Sequence, residues 1–421
     1  MRILVLASEY PYEKDQNSDR TKVIGYFARE WVKQGHEVVV IVNSSAFPSF
    51  YYRIGNVVKS LITKTFDVSR MPDRLWIKRF AYEEAGVHVE NIPIKKYIPH
   101  GRFSRAALHN QLQTIAEILE TRDFQPDAVV GHWVNPQLML VAALAKKYHA
   151  QPAFVFHADY VETTCKKFAV QSYIDQIDCV GFRSKSAAEA AKGYLHFRRE
   201  PFIVASGIPD AFIEQYRDLP ERRFDRDGFR LITAARLVEY KRIDAVLGAM
   251  AKAFPRGTTE LTIAGSGPQQ EKLCAQAQDA GILERIRFLG QIPREALQEQ
   301  MRSSDVFVLI SEHETFGLVY LEAMLHGCIV IASRFGGVDG IIEHGVNGFL
   351  CAEGCEEELV TILQNIQTMA PSEKQAMSRR AYETAMQYSE SAAARRYLDN
   401  LTGKTDTTES CGSGSCRQSL R

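Results

Sequence analysis

Two glutamates, Glu314 and Glu322, lie eight residues apart around a glycine turn that begins a short predicted helix. An apolar strand over 306–310 precedes them, and open α/β sheets bind ligands at the carboxyl ends of such strands. If the helix begins near Phe316, its unpaired N–H groups and its dipole favour a phosphate, and Glu322 lies about one and a half turns farther along. The two carboxylates can therefore contact opposite ends of one ligand. The alternative is an acidic first turn followed by one more polar helix position.

The residues that follow this pair extend the motif. Another apolar strand is predicted over 328–333, and a double glycine comes shortly after it. With these flanks the segment resembles the Glu-x7-Glu signature of retaining glycosyltransferase family 4, whose members have the two-domain GT-B fold. The resemblance implies that Glu314 contacts hydroxyls of the transferred sugar and that Glu322 contacts the ribose of the nucleotide. It also implies that backbone N–H groups of three residues face the diphosphate, namely Phe316, Gly317 and Leu318.

Two cations, Arg236 and Lys241, lie in a predicted loop between an apolar strand over 231–235 and an amphipathic helix. Departure of a nucleoside diphosphate builds negative charge on its oxygens, and preorganised cations stabilise that charge in the transition state. The loop is similar to the family's Gly-Arg-Leu-x4-Lys segment, with alanine in place of the glycine. The alternative is a solvated loop, since most Lys and Arg side chains are exposed. We expect the neighbouring Arg242 to be exposed.

A glycine turn follows the next predicted strand, with Gly265 and Gly267 ahead of Pro268 at the first position of a helix. Glycine lets the backbone approach a ligand closely. The turn resembles the family's Gly-x-Gly-Pro loop, which implies that both glycines line the nucleotide site. Many turns between a strand and a helix need glycine for geometry alone, and this alternative remains open.

The chain is long enough for two hydrophobic cores, with 421 residues of which 45% are hydrophobic. Short apolar strands alternate with helical stretches in both halves, which predicts parallel βα units. We therefore predict an α/β protein with two Rossmann-like domains facing across a cleft, and the GT-B resemblance adds a C-terminal helix that crosses back to the first domain. The predicted segments are an N-terminal acceptor domain at 1–205, a linker at 206–228, a nucleotide-sugar-binding domain at 229–380, the crossing helix at 381–402 and a flexible tail at 403–421. Strands of the first domain are predicted at 2–8, 37–42, 128–132, 153–157 and 179–182.

In the first domain, His157 ends an apolar strand and is followed by Ala158-Asp159. This element resembles the family's His-Gly-x-Asp, with alanine in place of glycine. An imidazole at a strand end can donate a hydrogen bond to a sugar hydroxyl in the cleft. The alternative is a partly buried histidine bonded to a backbone carbonyl. His132 is placed similarly, and we expect it in the core or behind the site.

Residues 44–80 combine seven basic and two acidic residues with interleaved aromatic residues. Such a stretch can bind a carbohydrate or glycolipid acceptor, or lie on an anionic membrane surface. It can equally be a packed insertion with a solvated basic face. Nucleic acid is a poor partner, because 51 basic residues balance 51 acidic ones and the sequence pI is about 7.2.

No divalent metal or other cofactor is expected. Asp225 and Asp227 have the spacing of a metal-binding Asp-x-Asp motif, but no apolar strand precedes them, which favours a solvated linker. No stretch resembles a secretory signal or approaches the ~20 consecutive apolar residues needed to span a bilayer, so we expect neither feature. Most of the eight cysteines lie in apolar patterns typical of reduced thiols, while Cys411 and Cys416 lie in the tail. We expect a cytoplasmic protein, with peripheral contact at the inner face of the membrane through 44–80 left open.

These resemblances imply a metal-independent, retaining glycosyltransferase of the hexosyltransferase type. It would move a sugar from a nucleoside-diphosphate sugar to an acceptor hydroxyl in polysaccharide, lipopolysaccharide or glycolipid assembly. Spacing alone predicts only a two-domain nucleotide-binding protein. One alternative is a nucleotide-sugar epimerase of the same fold, and another is a non-catalytic sensor that binds the donor without turnover. The intact set of charged residues argues against both: Glu314, Glu322, Arg236 and Lys241.

Overall fold

The computed structural model describes residues 1–12, 22–53, 74–97, 101–157, 162–218, 224, 227–312, 314 and 316–404. Its strands are β1 Arg2–Ala7, β2 Glu37–Val42, β3 Ser45–Ala46, β4 Phe80–Glu84, β5 Val87–Asn91, β6 Ile94–Lys95, β7 Ala128–His132, β8 Gln151–Phe156, β9 Cys179–Phe182, β10 Phe202–Ile203, β11 Arg230–Ala234, β12 Glu260–Ala264, β13 Ile286–Gly290, β14 Val306–Leu309, β15 Ile329–Ser333 and β16 Phe349–Cys351. Its helices are α1 Val23–Lys33, α2 Phe50–Arg53, α3 Arg105–Thr121, α4 Gln137–Tyr148, α5 Glu162–Phe168, α6 Val170–Ile174, α7 Lys185–Lys192, α8 Asp210–Gln215, α9 Ile243–Ala253, α10 Gln270–Asp279, α11 Arg294–Ser303, α12 Leu318–Leu325, α13 Glu356–Thr368, α14 Pro371–Met386 and α15 Glu390–Thr402. Short 3-10 turns lie at Arg74–Ile77, Glu239–Lys241 and Leu283–Arg285.

The first sheet has the strand order β10-β9-β8-β7-β1-β2-β5-β4. Its strands are parallel except for β4, which pairs with β5 as an antiparallel edge hairpin. The central strands are apolar on both faces because helices cover both faces of a parallel sheet, and the predicted strands of this half are confirmed to within two residues. The sequence analysis did not predict the hairpin, whose strand β4 alternates exposed and half-buried residues.

The second sheet is parallel throughout, with the order β13-β12-β11-β14-β15-β16. From β11 the chain proceeds outward to β13, and it then returns to β14 on the other side of β11. Ligands of open α/β sheets bind where the strand order reverses in this way. The loops that leave β11 and β14 therefore lie side by side at the carboxyl edge of the sheet.

The C-terminal helix α15 returns to the first domain, as the fold prediction required. The indole N–H of Trp31 on α1 donates to the carbonyl of Ala394 at 3.0 Å, and the ring of Tyr397 packs edge-on against Phe27 and Trp31. The apolar face of α15 thereby completes a core of the first domain.

A break between α14 and α15 replaces the single crossing helix predicted over 381–402. The side chain of Ser389 caps α15 by accepting from the N–H of Ala392 at 3.0 Å, and the backbone here pairs with the interdomain linker. Ile208 donates its N–H to the carbonyl of Tyr388 at 2.7 Å and accepts from the N–H of Glu390 at 2.9 Å. The two crossings of the chain between the domains are therefore bonded to each other.

Glycine is required beside this junction. A Cβ at Gly207 would lie 2.3 Å from the backbone nitrogen of Glu390, so any other residue would force the two crossings apart.

Some of the sequence predictions fall outside the described residues. They concern 54–73 of the basic stretch, Asp225, Cys411 and Cys416. In the part of the chain that is described, helices are either too short or too polar to cross a bilayer.

Candidate functional site

The loops after β11 and β14 bring Lys241 and Glu314 together at the point where the strand order reverses. The Lys241 ammonium lies 2.5 Å from a carboxylate oxygen of Glu314, and about 15% of each side chain is exposed. The backbone N–H of Glu312 donates to the carbonyl of Tyr240 at 2.8 Å, which ties the two loops together beside the ion pair. The sequence analysis predicted that both residues contact one nucleotide-sugar donor, and the structure places this cation and this carboxylate in contact.

Arg236 lies in the same loop, and its side chain is exposed. Within the described residues its guanidinium has no ion pair or hydrogen bond, so it is available to an anion at this edge of the sheet. The fully buried Leu237 anchors the backbone beside it. The expectation that Arg242 is exposed was wrong, because the residue is half-buried and 27% of its side chain is exposed, while its guanidinium pairs with Glu312 at 2.8 Å and Asp244 at 3.3 Å.

The glycine turn after β12 packs directly on the loop that carries Arg236. A Cβ at Gly265 would lie 1.9 Å from the carbonyl oxygen of Ala235, and one at Gly267 would lie 2.3 Å from that of Leu237. Gly265 also has φ +137°, a conformation that L side chains rarely adopt. The glycines are therefore needed for backbone packing, and through it they fix the Arg236 loop. Direct contact with a nucleotide remains a prediction.

Helix α12 begins where the motif predicted. Gly317 caps it with φ 75°, and Leu318 is its first residue. The first N–H groups of a helix have no partner within the helix and carry the positive end of its dipole. A Cβ at Gly337 would lie 2.1 Å from the Cα of Phe316, so the double glycine after β15 lets that loop support the start of α12.

Glu322 is buried and bonded within the protein, with 4% of the residue exposed. One of its oxygens accepts from Nε of Arg294 at 3.0 Å and from a terminal nitrogen of the same guanidinium. The other oxygen accepts from the amide of Gln298 at 3.0 Å. A carboxylate has about four acceptor directions, so roughly one remains for a ribose hydroxyl. The sequence analysis did not identify these partners on α11, and the ribose contact remains a prediction.

In the first domain, the fully buried His132 and the half-buried His157 form an imidazole pair. Nδ1 of His132 and Nε2 of His157 are 2.8 Å apart, so one ring donates and the other accepts. The indole of Trp133 stacks on His157 with centroids 4.3 Å apart, and the hydroxyl of Tyr397 on α15 lies 3.5 Å from Nε2 of His132. His157 is thus bonded to a second imidazole, not to the backbone carbonyl considered as the alternative.

Burial keeps both imidazoles neutral. Burial first, and the nearby Arg183 guanidinium second, lower the pKa of His132 to about 3. Burial, His132 and Arg183 together lower the pKa of His157 well below its usual value. A neutral imidazole has one N–H donor and one acceptor nitrogen, so His157 can offer its remaining ring nitrogen to a sugar hydroxyl.

Arg183 is a residue that the sequence analysis missed. It follows β9 directly, so the strand-end argument that selected His157 applies to it as well. Its buried guanidinium donates to the carbonyl of Val204 at 2.6 Å and to the hydroxyl of Ser206. It also lies 5.2 Å from the ring centroid of Phe316 in the second domain. The two domains therefore meet at the residue that precedes the cap of α12.

Among the described residues, no group of three or more His, Cys, Asp or Glu side chains is arranged to hold a metal ion. The described site instead presents two cations, Lys241 and Arg236, together with the first N–H groups of α12. This arrangement suits a ligand that carries phosphates.

Family models match both halves of the chain. One described as "Glycosyl transferases group 1" matches residues 216–384, and one described as "Glycosyl transferase 4-like domain" matches residues 21–205. The N-acetyl-alpha-D-glucosaminyl L-malate synthase of Bacillus anthracis is 36% identical over 124 residues, which is 30% of this chain and 32% of that protein. This chain thus spans about a third of that relative's length.

Solved structures share the fold over nearly the whole chain. The lipopolysaccharide outer core galactosyltransferase WaaB, in its apo form, superposes with a TM-score of 0.67 at 16% identity, covering 96% of this chain and 100% of that chain. Anabaena Alr3699/HepE in complex with UDP gives a TM-score of 0.62 at 17% identity with the same two coverages. These similarities confirm the predicted GT-B arrangement of two α/β domains.

Proposed function

The chain belongs to the family-4-type glycosyltransferases, and from that premise we propose that it transfers a hexose from a nucleoside-diphosphate sugar to an acceptor hydroxyl with retention of configuration. One observation carries the proposal. The ion pair of Lys241 with Glu314 lies where the strand order of the second sheet reverses, beside the exposed Arg236 and the start of α12. A diphosphate and a sugar are the ligand parts that suit this combination of charges.

The proposed chemistry rests on stabilising the leaving group. The bond between the anomeric carbon and the diphosphate oxygen breaks, and Lys241, Arg236 and the N–H groups at the start of α12 stabilise the charge that develops on the diphosphate. The acceptor oxygen forms its bond to the anomeric carbon from the same face, and its proton passes to a phosphate oxygen. Glu314 holds hydroxyls of the transferred sugar. No covalent intermediate with the protein is invoked.

The first domain would complete the sugar site from the opposite side of the cleft. His157 is held by His132 and Trp133, and its pKa is lowered well below the usual value by burial. A neutral ring can bond a sugar hydroxyl without adding charge near the anomeric carbon. We assign it that positioning role in the transfer.

The identities of the donor and the acceptor can be tested directly. The HepE structure named above contains UDP, so UDP-sugars are the first donors to test, with GDP-sugars beside them. The acceptor would be a carbohydrate or glycolipid of polysaccharide, lipopolysaccharide or glycolipid assembly, modified on the cytoplasmic side of the membrane. Neither a metal ion nor another cofactor takes part in the proposed reaction.

A donor screen followed by a product assay tests the proposal. We expect one nucleotide-sugar class to raise the melting temperature, since a ligand that binds only the folded state stabilises it. With a suitable acceptor, mass spectrometry would detect the extended glycan, and NMR would give the same anomeric configuration as in the donor. Nucleotide release without any acceptor product would favour the epimerase. Donor binding with no turnover across the acceptor panel would favour the sensor, and an inverted product would contradict the mechanism.

A further inference from the structure

A separate cavity of about 580 Å³ opens in the first domain, and the site residues Arg236, Lys241, Glu314 and His157 are not among those that line it. We call it the basic pocket. It lies at the carboxyl edge of the first sheet, because β3 and β6 follow β2 and β5 and pair with each other there. The residues that line it are Ala46, Phe47, Pro48, Ser49, Tyr52, Arg53, Ile77, Lys95, Lys96 and Tyr97.

Three cations face this cavity: Arg53, Lys95 and Lys96. None of them forms an ion pair with any residue that the structure describes. Lys96 is half-buried, with its ammonium 5.0 Å from the ring centroid of Phe103. Burial first, and the nearby Lys167 second, lower its pKa to about 8. A half-buried ammonium without a counter-ion favours the binding of an anion.

The remaining walls are largely apolar and well fixed. The backbone N–H of Phe47 donates to the hydroxyl of Tyr52 at 3.0 Å, so this aromatic wall is held in place. The turn that carries Ile77, another lining residue, is fixed by the carbonyl of Trp76, which accepts from Ser44 at 2.6 Å and from Asn91 at 3.1 Å. A preformed apolar cavity with a few convergent charges is typical of a small-molecule site.

The position of the pocket limits what it can bind. The strands that end beneath it and those that end at the transfer site run parallel, so both lie at one edge of the sheet. From β2 to β8, where His157 lies, there are three strand spacings of about 4.8 Å, or about 14 Å in all. A charge bound in the pocket is therefore too far away to belong to the sugar ring whose hydroxyl is glycosylated.

We propose that the basic pocket binds an oxyanion of the acceptor, a phosphate or a carboxylate, that is separated from the accepting hydroxyl by more than one sugar ring. The part of the acceptor next to the oxyanion packs against Phe47, Tyr52 and Tyr97. This inference rests on the proposed function, because it names the acceptor class of the same reaction. The oxyanion belongs either to a lipid-linked acceptor or to a soluble anionic glycan.

Calorimetry with saturating UDP, which occupies the donor site, tests the pocket directly. The probes are decyl phosphate, decyl glucoside and glucose 1-phosphate. Against the triple variant Arg53→Gln, Lys95→Gln, Lys96→Gln, we expect wild type to bind decyl phosphate at least about tenfold more tightly, the scale of one lost charge-assisted hydrogen bond. Decyl glucoside should bind both proteins equally. Binding of decyl phosphate alone indicates a lipid-linked source, and binding of glucose 1-phosphate as well indicates a soluble one.

A matched control removes the same charge elsewhere. Lys146→Gln, Lys272→Gln and Arg287→Gln, combined, change three exposed cations outside the pocket, and this variant should bind the probes as wild type does. Equal affinity in the wild type and the pocket variant would overturn the proposal, as would an equal loss in the control variant.

A second variant protects the test against misfolding. Tyr97 is 68% exposed, so Tyr97→Ala should fold and should still weaken decyl phosphate binding, and unchanged affinity in this variant counts against the pocket. UDP binding measured on every variant keeps the two proposals apart. If the pocket variants bind both UDP and decyl phosphate as tightly as wild type does, the pocket proposal is rejected and the glycosyltransferase proposal is unaffected.

Discussion

The ammonium of Lys241 lies 2.5 Å from the carboxylate of Glu314, although the two residues are 73 positions apart in the chain. Their loops meet because they leave neighbouring parallel strands, β11 and β14, at the same edge. In the free protein each residue neutralises the other. A bound diphosphate would compete for Lys241 and free Glu314 to contact sugar hydroxyls, so the ion pair holds both groups ready for the donor.

We expect Lys241→Gln and Arg236→Gln each to lower kcat by about 10²-fold, the scale reported for loss of one preorganised stabiliser of a developing charge. The matched control is Lys252→Gln, which breaks a 2.8 Å ion pair with Glu356 at the far end of α9. Steady-state rates with a saturating donor would measure the effect. Wild-type turnover in a folded Lys241→Gln protein would remove the diphosphate assignment.

The two motif glutamates should differ in what they bind. Glu322→Gln should weaken binding of the nucleoside diphosphate itself, because a ribose contact forms with or without the sugar. Glu314→Gln should leave that binding nearly unchanged and should lower transfer. Calorimetry with the nucleotide alone and a transfer assay would measure the two effects.

Arg294→Gln is the control for this experiment. It breaks the same buried ion pair but leaves the Glu322 carboxylate in place, so nucleotide affinity should persist. If Arg294→Gln and Glu322→Gln reduced affinity equally, Glu322 would act through packing on α11 and not through ribose. If only Glu314→Gln abolished nucleotide binding, the proposed orientation of the donor would be wrong.

The proximity of Lys241 and Glu314 could be predicted from the sequence, because each residue follows a strand whose end is marked by a short apolar run. Apolar runs mark β11 and β14, and the rule for parallel sheets then places their loops at one edge. The hydrogen-bond partners of Glu322 could not be predicted in this way. Its bonds to Arg294 and Gln298 depend on which helix packs beside α12, and a helix's apolar pattern does not identify its neighbour.

The contacts between the two domains could not be predicted from the sequence either. Arg183 lies opposite Phe316 only because two separate folding units meet there, and no periodicity in the chain encodes that orientation. The break before α15 has the same origin. Ser389 is an ordinary helix-capping residue in sequence, but the helix ends there because the backbone beside it bonds to Ile208 in the linker.

Gly265→Ala tests whether the glycine turn acts by positioning Arg236. The new methyl would lie 1.9 Å from the carbonyl of Ala235, so the loop must move, and kcat should fall together with stability. Gly257→Ala is the control, since Gly257 also has positive φ, at 112°, but nothing lies within 4 Å of its Cβ position. It should cost about 1 kcal/mol from backbone strain and leave kcat unchanged. Equal effects of the two variants on kcat would contradict the packing argument.

Chelation should leave transfer largely intact, because side-chain cations supply the charge that a divalent metal ion supplies in metal-dependent enzymes. The assay is the transfer rate with excess EDTA compared with the same reaction containing added manganese. If EDTA abolished activity and manganese restored it, the metal site would have to be sought at Asp225 and Asp227 in the linker.

The imidazole pair of His132 and His157 should make the first domain sensitive to acid. Each neutral histidine takes up a proton on unfolding once the pH falls below about 6.5, while the folded pKa of His132 is about 3. The folded value is the lower one, so stability is fully present above pH 6.5 and is lost as the pH falls toward 3. By linkage the loss from His132 is about 2 kcal/mol at pH 5, and His157, whose pKa burial also lowers, adds a loss in the same direction.

His132→Asn should remove the part of that acid destabilisation that comes from His132 and leave the rest, because His157 still takes up its proton on unfolding. All three tryptophans, Trp31, Trp76 and Trp133, belong to the first domain, so tryptophan fluorescence follows the unfolding of that domain alone. Guanidinium unfolding at pH 7.5 and pH 5 would give the change in unfolding free energy for each protein. His109→Asn, a change at an exposed histidine of the same domain, should keep the wild-type pH dependence. If His132→Asn also kept it, the pKa of His132 would not be lowered in the folded protein, and the neutral imidazole pair that holds His157 would be wrong.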